Sequence, residues 1–144
     1  MKLNPSSFRF AAILATALLP AASFACRCVD PGPPAPAYKK AAAVVVGKVI
    51  SLRKNADSTV TASLQVTQGW KRDVSAELDV STVATNCAFP FAEGKEYVLY
   101  VRDLPANGGY STALCMGNVA AEGADQALAW LKRNGSAKQV TTKP

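Results

Sequence analysis

Two rhythms of hydrophobic and polar residues run along the chain. Val60, Ala62, Leu64 and Val66 alternate with Thr61, Ser63, Gln65 and Thr67, and further on Ala76, Leu78 and Val80 alternate with Glu77, Asp79 and Ser81. A period of two puts successive side chains on opposite faces of an extended backbone, so both stretches are predicted to be strands with one wet face. The run Ala43 to Leu52, with Val44-Val45-Val46 at its head, is rich in β-branched residues and is predicted to be the first strand. Tyr97-Val98-Leu99-Tyr100-Val101 has the look of a buried strand, and a short fifth strand around Tyr110 to Leu114 delivers Cys115. Polar turns at Arg53–Ser58 and Lys71-Arg72-Asp73 separate these elements, and Gly108-Gly109 reads as a hairpin turn rather than a ligand loop.

The second rhythm comes late. From Ala121 to Arg133 the residues Ala124, Ala127, Leu128, Trp130 and Leu131 fall largely on one stripe, as in an amphipathic helix, with Lys132 and Arg133 favourably placed at its carboxyl end. Gly135 is predicted to stop it, leaving residues 134–144 as a flexible tail. Before the first strand, the prolines of Val29 to Pro36 exclude helix and indicate a stiff connector, and Ala37 to Ala42 has room for one helical turn. Short strands divided by turns, with little helix among them, predict a mainly β domain, an antiparallel barrel or sandwich.

The amino terminus follows a different logic. Met1 to Arg9 carries two cations and no acid, Phe10 to Leu19 is apolar, and Ala21-Ala22-Ser23-Phe24-Ala25 supplies small residues before a cysteine. These are the three parts of a secretory signal peptide, with the cut predicted before Cys26. The apolar run is half of the roughly 20 residues a membrane-spanning helix needs, so no membrane span is expected. A lipoprotein signal would carry an aliphatic residue three before the cysteine and a small one two before it, and Ser23 and Phe24 fit that pattern poorly. The mature protein is therefore expected outside the cytoplasm, extracellular or periplasmic.

Removing residues 1–25 leaves about 119 residues, enough for one domain, placed here at 26–133, and for a monomer. Loss of Lys2 and Arg9 brings the net charge from +6 to about +4, spread without a block of like charge. Without clustered cations among exposed aromatics, no nucleic acid is expected as a partner. The chain has no histidine, hence no ordinary general base near neutral pH, and no H-E-x-x-H, G-x-S-x-G or phosphate loop appears. Nearly all of its carboxylates fall in predicted turns or on wet strand faces, where solvated charge is the default. No enzyme activity and no cofactor are expected.

Cys26, Cys28, Cys87 and Cys115 all survive cleavage, and four cysteines in a small exported domain point to two disulfides. A bridge between Cys26 and Cys28 would close a ring too small for relaxed geometry. Residues two apart in an extended segment share a face, so both are expected to reach down to Cys87 and Cys115, in one order or the other. Structural zinc would want two close pairs and is disfavoured by the spacing of Cys87 and Cys115, and a redox C-x-C would want a helix start that is not evident.

Taken in order, these features resemble the netrin-type module and, within it, the tissue inhibitors of metalloproteinases. The resemblance rests on Cys26-Arg27-Cys28, on Ala43-Val44-Val45-Val46-Gly47-Lys48-Val49, on Gln68-Gly69-Trp70-Lys71, on the stretch Asn86-Cys87-Ala88-Phe89-Pro90-Phe91-Ala92-Glu93-Gly94-Lys95-Glu96-Tyr97-Val98-Leu99-Tyr100, and on Cys115. It implies a five-stranded OB-fold-like antiparallel barrel with a carboxyl-terminal amphipathic helix and two disulfides, Cys26 with Cys87 and Cys28 with Cys115. It also implies a function: a zinc metalloprotease as partner, its zinc held by the Cys26 amine and carbonyl, with Arg27, Cys28 and Val29 against the protease. Arg27 departs from the family, which places a small Ser or Thr there, and the second subdomain of the animal inhibitors is missing. The alternative is a secreted netrin-type interaction module that touches no zinc. Trp70 and Phe89-Pro90-Phe91 read as packing rather than as a binding surface.

Overall fold

The computed structural model describes Cys26, Cys28 and residues 34–105 and 108–142. The predicted signal peptide, Arg27, Val29 and most of the proline connector lie outside the described residues. In chain order the elements are α1 (Ala35–Lys40), β1 (Ala43–Lys54), β2 (Val60–Trp70), β3 (Val74–Ser75), β4 (Glu77–Thr82), β5 (Glu96–Leu104), β6 (Gly109–Thr112), β7 (Val119–Ala120), α2 (Asp125–Asn134), β8 (Ala137–Lys138) and β9 (Val140–Thr141).

Five of the strands close a barrel in the order β1-β2-β4-β6-β5 and back to β1. The seam between β4 and β6 is parallel and the other four are antiparallel. Closure removes the exposed edges that an open sheet of this size would have to protect. Val45, Val49, Ala62, Leu64, Val66, Val80, Leu99 and Val101 belong to one buried cluster. Val44, Val46, Val98 and Tyr100, the alternate positions of β1 and β5, belong to a second cluster with Trp70, Ala124 and Leu131. The first half of β1 and the middle of β5 are thus covered on both faces, which is why their sequences are apolar without alternation. Shifts of register at Val46/Gly47 and Val49/Ser51 bend β1. From Ser51 onward it pairs with β2 and not with β5, and its side chains there are largely exposed.

α1 starts two residues earlier than predicted and takes in Pro36, which was expected to exclude helix, because Pro36 sits in its first turn, where a missing N–H is tolerated. The late helix is split. A 3-10 turn spans Ala121–Gly123, and α2 proper begins at Asp125, burying Leu131 completely. Gly135 does end α2, yet its backbone is extended, not left-handed. A Cβ there would stand 2.7 Å from Trp70 Cδ1 and 2.6 Å from the Leu131 carbonyl oxygen, so close approach is what demands glycine.

The flexible tail is the expectation that the structure corrects. Ala137 and Lys138 pair with Trp70 and Gly69 of β2, and Val140 and Thr141 pair with Val74 and Ser75 of β3. Ser136 donates its N–H to the Tyr38 hydroxyl at 3.0 Å, and its carbonyl accepts from the Lys71 N–H at 2.9 Å. Val140 packs on the core. Two dipeptides at the edge of a barrel leave no pattern long enough to read, and they are fixed by backbone pairing together with the packing of Val140 and a bond from the Gln139 N–H to the Asp73 carboxylate at 3.0 Å.

Candidate functional site

Cys26 is bonded to Cys87 and Cys28 to Cys115, with Cα–Cα separations of 5.3 and 5.0 Å, the order the family resemblance implies. The two anchors are held side by side. Leu114, next to Cys115, donates its N–H to the Cys87 carbonyl at 2.8 Å, coupling the segment before β5 to the 3-10 turn Leu114–Met116. Two residues of extended chain advance about 6.6 Å, so a C-x-C spacing can reach both anchors.

Each anchor is braced. Thr85 accepts the Ala88 N–H on its carbonyl at 3.0 Å and the Cys87 N–H on its hydroxyl at 3.2 Å, folding a tight turn around Cys87. Behind it Phe89, Phe91 and Tyr97 meet edge-to-face, with centroids 5.0 to 6.0 Å apart, and the Tyr97 hydroxyl accepts from the Ala92 N–H. These aromatics pack, as does Trp70, which is 3% exposed. On the Cys115 side, Asn118 accepts the Tyr100 N–H and donates to the Thr112 hydroxyl and the Ala113 carbonyl, all within 3.0 Å. Thr112 in turn donates to the Tyr100 carbonyl. A buried polar network with every partner supplied makes a rigid turn.

Cys26 and Cys28 are half-buried, and Ala84, Thr85 and Asn86 are exposed beside the first bridge. The structure brings together the four predicted cysteines. Arg27 and Val29 lie outside the described residues. No thiol is free, and among the described residues no group of three or more His, Cys, Asp or Glu side chains is placed to hold a metal ion. None of the helices described is long and apolar enough to cross a membrane.

Two depressions were not signalled by the sequence. One is shallow, near Lys48, Glu93, Lys95 and Glu122. There Lys95 and Glu122 form an exposed ion pair at 2.7 Å, and the carboxylate raises the lysine's pKa by hydrogen bond and charge. The other is a cleft of about 470 Å³ between α1, the turn after β6 and the start of α2, with Cys28 and Cys115 on its wall. Its deepest side chain, Tyr100, stands in an apolar run and so reads as core.

A third feature had no sequence signal either. Lys71, predicted as a turn residue, does occupy a turn, with φ of 75°. Its ammonium reaches the end of α1, donating to the carbonyls of Tyr38 at 2.9 Å, of Ala41, and more distantly of Lys39, and lies 5.2 Å from the Tyr38 ring centroid. A cation satisfies the unpaired carbonyls of a helix end and meets its negative pole.

No protein-family model matches the chain, and no curated protein matches it. The fold defines its class: a mainly β protein built on a closed five-stranded barrel, with a carboxyl-terminal helix and two disulfide-bonded cysteine pairs.

Proposed function

We propose that the chain is an exported binding protein, not an enzyme, that inhibits a zinc metalloprotease in the manner of the tissue inhibitors it resembles. The observation that carries this reading is the bracing of Cys26 and Cys28 on adjacent anchors. Cleavage before Cys26 would make its α-amine a free terminus, with a pKa near 8, and a bound metal would favour the neutral form. That nitrogen and the Cys26 carbonyl oxygen close a five-membered chelate ring on a metal. A catalytic zinc keeps one position open for water, which the chelate displaces. A terminus already fixed by its bridge loses little conformational freedom on docking. The following side chain, Arg27, then meets the specificity pocket, and an apolar pocket would have to desolvate its guanidinium or let it snorkel out.

The test is a panel of zinc proteases against three proteins: mature wild type, a form with one alanine before Cys26, and Arg27→Thr. The extension abolishes inhibition while the fold persists, because the added residue lies outside the bridged segment. Arg27→Thr improves inhibition of enzymes with apolar pockets by about ten- to a hundredfold, the equivalent of roughly 1 to 3 kcal/mol. If none of the three inhibits any enzyme, the reading fails and a netrin-type interaction module takes its place, an outcome that Arg27 favours.

A further inference from the structure

We infer that the cleft beside the Cys28–Cys115 bridge is a binding site for a small organic carboxylate with an apolar body. The inference stands independently of the Cys26 terminus.

Tyr100 is its foundation. The residue is 1% exposed, yet its side chain lines the cleft. Its backbone groups are satisfied by Asn118 and Thr112. Its hydroxyl has no hydrogen-bond partner among the described residues, although no polar side-chain atom that is wholly shut off from solvent lacks one. The hydroxyl therefore faces the cleft. A tyrosine so deeply enclosed ordinarily finds a partner for its O–H within the protein. Here the donor is left for a ligand. Burial raises its pKa, so the group stays protonated and can donate at neutral pH.

The remaining lining selects the ligand. Ala37, Ala41 and Met116 give apolar walls, and Lys40 and Arg102 are exposed cations on the same cleft. Neither cation is in an ion pair with a described residue, and no acidic residue is among the described lining. Asn118 also borders the space, but both of its amide N–H donors are taken by the turn and none is left for an anion. One neutral O–H donor, two cations and three apolar walls fit a carboxylate head on an aliphatic or aromatic body. At about 470 Å³ the cleft lies in the range of small-molecule sites, about 300 to 1,000 Å³.

The probe is octanoate, titrated into the oxidised mature protein at low salt and followed by amide chemical shifts, with octanamide as its uncharged match. Saturable shifts are expected at Tyr100, Gly117 and Asn118. Octanamide should bind about tenfold more weakly, because it lacks the charge that Lys40 and Arg102 meet. Tyr100→Phe should weaken octanoate by a similar factor, about tenfold, while the unfolding temperature of the free protein stays level or rises. A tyrosine that only packs would show no such loss. Lys40→Gln and Arg102→Gln, both on exposed residues, should each weaken binding without altering the fold. No saturation at millimolar octanoate, equal binding of octanamide, or unchanged affinity in Tyr100→Phe would each overturn the assignment.

Discussion

Deleting either disulfide by paired alanine substitution, Cys26/Cys87 or Cys28/Cys115, should destabilise the protein by nearly the same amount. Taken singly, the bridges close 61 and 87 residues, worth about 4.3 and 4.6 kcal/mol if they act only on the entropy of the unfolded chain. They do not act singly. With Cys26–Cys87 intact, the path from Cys28 to Cys115 runs back two residues, across the first bridge, and on along about 28 more. The ring that the second bridge adds is therefore only about 30 residues, and the same ring results when the roles are exchanged. Each single deletion should then cost about 3.6 kcal/mol, and the loss of both about 8 kcal/mol. A domain of this size has only about 5 to 15 kcal/mol in all, so the fully reduced protein should stand near unfolding. Denaturant titrations followed by tryptophan fluorescence read this directly, since Trp70 is buried against the barrel and Trp130 stacks edge-on to Tyr38 at 5.4 Å. A single deletion that costs less than about 1 kcal/mol, or one deletion costing more than about twice the other, would refute the interlocked-ring account.

Lys71→Met should lower stability by about 1 to 3 kcal/mol in the same titration, since it strips a charged donor from carbonyls at the end of α1. Gly117→Ala should cost about 1 to 3 kcal/mol, because φ is 90° there and the new Cβ would lie 2.8 Å from Ala37 Cβ, and thermal unfolding checks it. The Asp57 carboxylate accepts from the hydroxyl and N–H of Thr59, which hold its pKa below the ordinary 3.8. A depressed native pKa gives stability that is present above pH 3.8 and lost as pH falls through the lowered value, so Asp57→Asn should flatten the acid limb of a stability–pH curve and lower its neutral plateau, leaving the variant and the wild type closest in acid.

The alternation in Val60–Val66 and the unbroken apolar runs at Ala43–Val46 and Tyr97–Val101 carried the barrel in the sequence, because both are direct marks of how many faces a strand buries. Strands of two residues carry no period, so β3, β7, β8 and β9 were illegible and the pairing of residues 137–141 was missed. The C-x-C spacing showed that two long bridges were needed, but spacing alone left their order open. Tyr100 and Lys71 were hidden for a common reason: neighbours in sequence say nothing of a hydroxyl left without a partner or of an ammonium that finds a helix end some 30 residues away.

The central claim is that the Cys26 terminus coordinates a protease's metal, and its most direct measurement is optical. A zinc endopeptidase from the panel, reloaded with cobalt, reports a change of ligand at the metal in its visible absorption. Mature protein beginning at Cys26, or its Arg27→Thr form for an enzyme with an apolar pocket, should shift the cobalt bands as an amine nitrogen and a carbonyl oxygen replace water, and the alanine-extended form should leave them unchanged. Bands that move equally with the extended protein, or that move with none of the three, would contradict it.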